Sequence, residues 1–491
     1  MSKSVSQYRF IKERCAGYDY SADKISLRGH LMRLFYISAL ALAMSSFTQA
    51  QAATAQEQAA TLCNGEIMPQ VNLICAPDHG IEPNDTEDST AKFAALFTAH
   101  QGKGVFLPSG VYIINSDVHV KSGNSIIGSA DGHTILRSTD TQKSPIVGEV
   151  AYGLAVSDVS MKHLVLDNVA VKFYGNKKNI NVSENIFINT KEQGYQLSVA
   201  RFPSTVENNI FLRDAEHPGI GLLTFDANKP LISHNYFGDI SPESRNKVAV
   251  LLSQPVNNLL EKIDYLGSTG QLSVSDDQSY FKTAWGSSSG MTDAVFKKNV
   301  IIGNKKLCLK YNDSKCEMER DHGLYIQRYK NVEVVQNYFS GWPNTAAGHL
   351  KFRNASQLYF VGNYLDDTDF MARPYTYSEV RTMDNTFIFN NYFHKGSMSY
   401  WQEKADTDEV FIDATNYAVF SNYFSTEEKP ESRIHAGKGS THSTFMMANN
   451  VDQQGNEVMS ENFTQVDEQD ILSLLPTDKS HLLDIEPILR D

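Results

Sequence analysis

The sequence has little positive charge, because 57 Asp and Glu outnumber 44 Lys and Arg and give a formal net charge of −13. Binding to nucleic acid needs a cationic surface, so this balance argues against a nucleic-acid partner. An acidic protein can still bind an acidic polymer, provided that basic residues are gathered locally. The hydrophobic share of 41% and the charged share of 21% are ordinary for a folded chain and exclude disorder as its main state.

Long apolar runs are also lacking. The run 34–43 follows Arg28, His30 and Arg33 and precedes a small-residue cleavage pattern at 50–52. This order is typical of a secretory signal peptide, and the run is too short to span a membrane comfortably. We therefore expect residues 1–52 to be a leader. Met32 is the favoured start of translation, and the alternative is a signal peptide with a long basic region before its apolar run. A secreted protein without a membrane anchor follows, with the periplasm as the alternative location.

Cysteines are few, with five in the chain. Cys15 falls in the leader, which leaves two closely spaced pairs, Cys63 with Cys75 and Cys308 with Cys316. Export favours disulfides, and these two pairings are preferred among the three that four cysteines allow. Zinc is the alternative, but the spacings lack a C-x₂-C knuckle. Phosphate-loop, haem and flavin motifs are absent as well.

A short phrase, Asn followed by two bulky residues, recurs along the chain. Its Asn residues are Asn185, Asn209, Asn235, Asn299, Asn337, Asn363, Asn391 and Asn422, with a weaker ninth copy at Asn450. Most neighbouring copies are separated by roughly the 20–30 residues that one β-helix coil takes. Asn tolerates a left-handed corner, and stacked amides can form a ladder along the axis. Nine copies in phase predict an all-β, right-handed parallel β-helix.

The same repeat predicts the domain organisation. Residues 53–150 hold the N-terminal cap and first coils, 151–466 the parallel β-helix, and 467–491 a C-terminal cap. Two phrase intervals are long, and we read the segment at about 240–292 and the one carrying Cys308 and Cys316 as insertions. Long insertions in repeat proteins map to loops, so both are predicted to be walls or lids of a cleft.

The N-terminal entry carries a family resemblance. A turn at 78–89 precedes a helical stretch, Ala91–His100, and then the strand-and-turn segment Gly102–Tyr112. This succession resembles the opening of pectate-lyase-like β-helix proteins, whose capping helix covers the open end of the first coil. The resemblance implies the fold but not the chemistry, because lyases, hydrolases, epimerases and tailspikes share it.

Alignment on the Asn phrase brings polar residues of three successive coils into columns, alternating with core residues. The predicted surface patch consists of Tyr325 and Gln327; His349, Lys351 and Arg353; and Tyr377, Glu379 and Arg381. Arg353 is expected almost directly over Arg381, about 4.8 Å away along the axis. Stacked cations cost stability unless an anion binds there. The alternative is a solvated basic face with one salt bridge to Glu379.

A uronate polymer supplies such an anion, and β-elimination requires carboxylate neutralisation, removal of the C5 proton and protonation of the leaving oxygen. Arginine suits the first role, and a lysine crowded by guanidiniums is expected to have a lowered pKa and to act as base. The patch resembles the alginate lyase and chondroitinase B branch of β-helix lyases. In register, Arg381 takes the place of the family arginine, and Lys351 or Arg353 that of the family lysine.

The resemblance is incomplete. That branch binds calcium through an E-x-E pair, whose place is held here by Ala347, Gly348 and His349. No cofactor is therefore expected to be required, calcium is the weaker expectation, and His349 with Arg353 takes over neutralisation. The export signal and architecture also resemble β-helix lyases that cleave the biofilm polysaccharide of vibrios. The predicted partner is an acidic extracellular polysaccharide, and the capped ends favour a monomer.

Other readings stay open. Asp321 and His322, in the run Asp-His-Gly-Leu-Tyr, faintly resemble the site of β-helix C5-epimerases, with a structural role as the alternative. A hydrolase would need carboxylates about 5–10 Å apart, for which only Asp366 with Asp367 offers a candidate pair. A non-catalytic binding or matrix protein could use exposed aromatic residues such as Tyr325, Tyr375 and Tyr377.

Overall fold

The fold is described from a computed structural model. It describes residues 62–69, 73–148, 158–174, 179–191, 195–201, 203–213, 220–274, 282–286, 291–303, 322–342, 350–374, 382–400, 414–425, 433–436 and 443–489. The helices are α1 (Thr90–Ala99), α2 (Pro242–Val248), α3 (Gln254–Ser268) and α4 (Glu468–Leu472), and short 3₁₀ turns lie at Pro77–His79, Ala249–Leu251 and Thr477–Asp484. None of these helices is long and apolar enough to cross a membrane.

The strands that precede α2 are β1 (Leu62–Cys63), β2 (Glu66–Ile67), β3 (Leu73–Cys75), β4 (Gly104–Leu107), β5 (Gly110–Ile113), β6 (Val118–His119), β7 (Ile126–Gly128), β8 (Thr134–Arg137), β9 (Ile146–Gly148), β10 (Val159–Lys162), β11 (Leu164–Asp167), β12 (Ala170–Tyr174), β13 (Ile180–Ser183), β14 (Ile186–Ile188), β15 (Tyr195–Ala200), β16 (Ser204–Glu207), β17 (Ile210–Phe211), β18 (Ile220–Phe225), β19 (Leu231–Ser233) and β20 (Tyr236–Gly238). The strands that follow α3 are β21 (Lys282–Gly286), β22 (Met291–Thr292), β23 (Val295–Lys297), β24 (Val300–Ile302), β25 (Leu324–Val335), β26 (Tyr338–Ser340), β27 (Leu350–Val361), β28 (Tyr364–Asp366), β29 (Phe370–Ala372), β30 (Met383–Phe389), β31 (Tyr392–His394), β32 (Met398–Tyr400), β33 (Tyr417–Phe420), β34 (Tyr423–Phe424), β35 (Ile434–Ala436), β36 (Phe445–Ala448), β37 (Val451–Asp452) and β38 (Thr464–Gln465).

Apart from the β1–β2 hairpin, these strands pair in parallel along three lateral faces, with β22 pairing with the middle of β25 between faces 1 and 2. Face 1 consists of β6, β9, β12, β15, β18, β21, β25, β27, β29, β32 and β35. Face 2 consists of β3, β4, β7, β10, β13, β16, β19, β23, β25, β27, β30, β33, β36 and β38. Face 3 is the twelve-stranded sheet of β5, β8, β11, β14, β17, β20, β24, β26, β28, β31, β34 and β37. The predicted right-handed parallel β-helix is confirmed.

The Asn ladder along one corner is confirmed for all nine copies. From Asn185 to Asn450, the side-chain Nδ2 of each Asn donates to Oδ1 of the next Asn at 2.9–3.0 Å. The left-handed corner is one residue earlier than predicted, as at His234 (φ 54°) and Gln336 (φ 51°). The buried amides thus satisfy one another along the axis, while the preceding residue makes the turn.

Helix α1 covers the first coil as predicted. Phe93, Leu96 and Phe97 are buried in the same core cluster as the first β-helix strands, so the open end of the solenoid is closed by apolar side chains. Nearby, Cys63 and Cys75 form the predicted disulfide. The predicted partners Cys308 and Cys316 lie outside the described residues.

The described helices of the insertion at about 240–292 lie on a different face from the predicted patch. Its helices α2 and α3 pack on the outer surface of face 3, where Ile263 and Leu266 of α3 join one apolar cluster with Tyr236 and Val300. The sequence explains this, because the first bulky residue of each phrase points outward on face 3 and needs a cover. Residues 282–286 then return to face 1 as β21, so part of the segment is regular coil.

The C-terminal segment, which was predicted to be a cap, packs along a lateral face of the β-helix. Ile471 and Leu482 join an apolar cluster with Tyr359 and Phe389 on the outer surface of face 2. The chain then passes Gly362 (φ 65°), where an added Cβ would lie 2.7 Å from Cγ2 of Ile485. Faces 2 and 3 are therefore both covered by segments of the same chain.

Candidate functional site

The predicted columns exist on face 1. Tyr325 of β25 pairs with Lys351 of β27, and Gln327 pairs with Arg353. The alternating residues Leu324, Ile326, Leu350 and Phe352 are buried in the core, as predicted. Since side chains alternate along a strand, the four polar residues point to the outer surface.

The next coil contributes an arginine that was not among the predicted site residues. Leu350–Phe352 pair with Phe370–Ala372 of β29, and the backbone N–H of Arg373 donates to the carbonyl of Phe352 at 2.8 Å. Arg373 therefore follows the register to the position beside Arg353. Counting back from Asn391 missed it, because only the later part of β27 pairs with β30. The available signal was the alternation of Phe370 and Ala372 before Arg373 and Pro374.

The ring of Tyr325 is the centre of this cluster. Nζ of Lys351 lies 6.0 Å and Cζ of Arg353 5.8 Å from the ring centroid, at the outer limit for cation–π attraction. The imidazole of His322 stacks on the ring at 5.1 Å. The Tyr325 hydroxyl donates to Oε1 of Gln327 at 3.1 Å, which fixes the ring on the strand surface.

The two cations are shielded from solvent although they point outward. Lys351 is 5% and Arg353 9% exposed. Burying two adjacent positive charges is costly unless polar or charged groups stabilise them. This site therefore differs from the solvated basic face that was the alternative interpretation.

The sequence Asp-His-Gly-Leu-Tyr has a partly structural role. An added Cβ at Gly323 would lie 2.9 Å from the indole ring of Trp342, which is fully buried. The glycine therefore makes room for the indole, while His322, itself buried, lies against Tyr325. His322 thus belongs to the Tyr325 cluster, and Asp321 lies outside the described residues.

The candidate hydrolase pair is part of the covering of face 3. Oδ2 of Asp366 forms an ion pair with Lys247 of α2 and accepts a hydrogen bond from Ser340 at 3.0 Å. Burial alone would raise the pKa of Asp366, but the Lys247 and Ser340 contacts outweigh it and lower that pKa. Asp367 occupies a left-handed turn (φ 45°), as expected for a backbone role.

Several predicted residues fall outside the described part of the chain, namely His349, Tyr375, Tyr377, Glu379 and Arg381. Their roles stay predictions. Within the described ranges, no group of three or more His, Cys, Asp and Glu side chains is arranged to hold a metal ion.

Comparisons with known proteins give one partial family match. The family described as "Periplasmic copper-binding protein (NosD)" matches residues 97–263, about a third of the chain. No protein with a curated description matches the sequence.

Solved structures similar to the chain include the A-module of the mannuronan C-5 epimerase AlgE4 from Azotobacter vinelandii, at 13% identity and a TM-score of 0.45, covering 80% of this chain and 99% of that one. The alginate lyase AlyGC is similar at 12% identity and a TM-score of 0.42, covering 78% of this chain and 53% of that one. A polygalacturonase from Erwinia carotovora ssp. carotovora is similar at 10% identity and a TM-score of 0.40, covering 78% and 95%.

Proposed function

We propose that the protein is a secreted polysaccharide lyase that cleaves an acidic, uronate-containing polysaccharide, such as a biofilm matrix polymer, by β-elimination. The supporting observation is the pair of shielded cations, Lys351 and Arg353, on one strand beside Tyr325 and next to Arg373. The disulfide between Cys63 and Cys75 supports an exported protein, because such bonds persist in oxidising compartments.

In the proposed reaction, Arg353 and Arg373 bind the uronate carboxylate, with His349 and Arg381 as further proposed members of the site. Guanidinium forks match a carboxylate bidentately and stay charged. Neutralising the carboxylate stabilises the negative charge that develops when the C5 proton leaves.

Lys351, in its neutral form, removes the C5 proton. The electron pair of that C–H bond forms the C4=C5 double bond while the bond from C4 to the glycosidic oxygen breaks. The Tyr325 hydroxyl is the proposed donor of the proton that the leaving oxygen takes up. The products are one chain with a new hydroxyl end and one with an unsaturated uronate end.

The test is the ultraviolet absorbance of unsaturated uronate while the purified protein acts on a panel of acidic polysaccharides. We expect rising absorbance with the wild type and a loss of roughly 10²–10⁴-fold in rate for Lys351→Met, the range for removing a general base. Lys330→Met is the matched control, because Lys330 lies exposed on the neighbouring strand β25.

Three results would contradict the proposal. Shorter polymer without absorbance indicates hydrolysis, and changed sugar composition at constant chain length indicates an epimerase. Binding of the polymer without any new ends indicates a non-catalytic protein.

A further inference from the structure

The outward strand positions of face 1 that the structure describes carry no carboxylate, although the protein is acidic. The outward strand positions include Lys172, Lys351 and Arg353, and no Asp or Glu occupies any that the structure describes, counting β25 and β27 only up to Gln327 and Arg353. With 57 acidic residues in the chain, this segregation of charge extends well beyond the Tyr325 cluster. It marks a surface that matches an anionic ligand.

Lys172 and Lys351 occupy the same side-chain column. The register runs from Lys172 through Ser198, Leu223, Trp285 and Tyr325 to Lys351. Five strand steps of about 4.8 Å place their backbones about 24 Å apart along the axis. A polymer lying along this column would contact both lysines at once.

Between the two lysines, the strands β15 and β18 carry no charged side chain at their outward positions. Ser198 and Ala200 of β15 are small and buried, and Leu223 of β18 is partly exposed. This stretch of the column therefore offers no charge that would repel a uronate polymer.

The ammonium of Lys172 is held in place by an aromatic ring. Its Nζ lies 4.5 Å from the ring centroid of Tyr174, two residues along the same strand. Among the described residues Lys172 forms no ion pair, and it is only partly exposed. A cation–π contact orients a cation without neutralising its charge, so the ammonium remains available to a carboxylate.

We infer that Lys172, positioned by Tyr174, forms a distal subsite for a carboxylate of the same uronate polymer whose reacting unit lies at Lys351. This inference rests on the proposed function for the identity of the polymer. It implies that long chains bind better than short ones, because only a chain spanning the column reaches both sites. Internal bonds of long polymers are then the preferred point of cleavage.

The experiment measures the affinity of polyuronate oligomers, from alginate and polygalacturonate fractionated by length, for full-length mature protein carrying Lys351→Met. That substitution separates binding from turnover. We expect Lys172→Gln to weaken binding of long fractions about tenfold and to leave short fractions unchanged, as for loss of one charge-assisted contact. Lys172→Arg should restore most of the affinity.

Lys162→Gln is the matched control, because Lys162 is a partly exposed lysine on face 2. The inference is wrong if Lys172→Gln binds long fractions as the parent does, if it weakens short and long fractions equally, or if the parent binds no fraction. Length-dependent loss of binding in a protein without lyase activity would support the subsite and contradict the proposed function. Lyase activity with no effect of Lys172→Gln on the binding of long chains would support the proposed function and contradict the subsite.

Discussion

Faces 1 and 3 have the same kind of inward side chains but differ in their outward side chains. Inside, both contribute apolar side chains to one continuous core. Outside, face 3 presents Tyr236, Val300 and Tyr338, which α2 and α3 cover. The outward positions of face 1 include Lys172, Lys351 and Arg353, and α2 and α3 pack on a different face. The outward residues therefore decide whether a coil face is covered by helices of its own chain.

The two outer surfaces also differ in what they contribute to stability. Burying an aliphatic side chain such as Ile263 contributes roughly 1.5–3 kcal/mol. Lys351 and Arg353 on face 1 are instead proposed to contact an anionic ligand. Substitutions on face 3 should therefore change stability, and those on face 1 should change activity.

The largest expected effect is on face 1. Arg353→Ala should lower kcat/KM by roughly 10²–10³-fold, the range for loss of one group that stabilises developing negative charge. Its thermal midpoint shows whether the variant is still folded at the assay temperature. Initial rates and a thermal melt of the same preparation give both values.

The control for this prediction is Arg245→Ala on face 3. Arg245 of α2 forms an ion pair with Asp264 of α3 at 2.6 Å, so its loss should affect stability and leave kcat/KM unchanged. Full activity in Arg353→Ala, or loss of activity in Arg245→Ala at a temperature where it is folded, would contradict the division between the faces.

The next effect is on face 3. Ile263 of α3 is 1% exposed, and Ile263→Ala should lower the free energy of unfolding by roughly 2–5 kcal/mol. The rate per folded molecule should stay that of the wild type below the melting range. Val250→Ala, at a position 81% exposed in the same insertion, should change neither quantity. Chemical denaturation followed by circular dichroism distinguishes the two variants.

The inward half of the fold was predictable from the sequence, and the outward half only in part. The Asn phrase and the alternation around Leu324 and Leu350 predict the core directly, since most inward positions of a coil hold an apolar side chain or a ladder Asn. The placement of α3 on face 3 was not predictable, because the sequence of an amphipathic helix shows which side is apolar but not which surface of the protein that side packs against. Arg373 was missed for a related reason, since two separate strands of the next coil, β29 and β30, pair with the single strand β27.

The smallest expected effect concerns the ion pair that ties α2 to face 3. The carboxylate of Asp366 contacts Lys247, Ser340 and Tyr338, and the imidazole of His394 lies 3.9 Å away. Asp366→Asn should lower the free energy of unfolding at neutral pH by roughly 1–3 kcal/mol, as for a buried hydrogen-bonded charge.

The pH dependence of this difference follows from the lowered pKa of Asp366, in which the contacts with Lys247 and Ser340 outweigh the effect of burial. A carboxyl group whose pKa is lower in the folded state contributes stability that is complete above its unfolded pKa of about 3.9 and is lost as the pH falls through its folded pKa. The wild type and Asp366→Asn should therefore differ most at neutral pH and converge in acid. Lys247→Met should show the same convergence, and the double variant should be less destabilised than the sum of the single ones, because both remove one contact. Denaturant titrations of the four proteins at neutral and acidic pH measure this, and a difference that persists unchanged in acid would show that Asp366 acts through packing instead of charge.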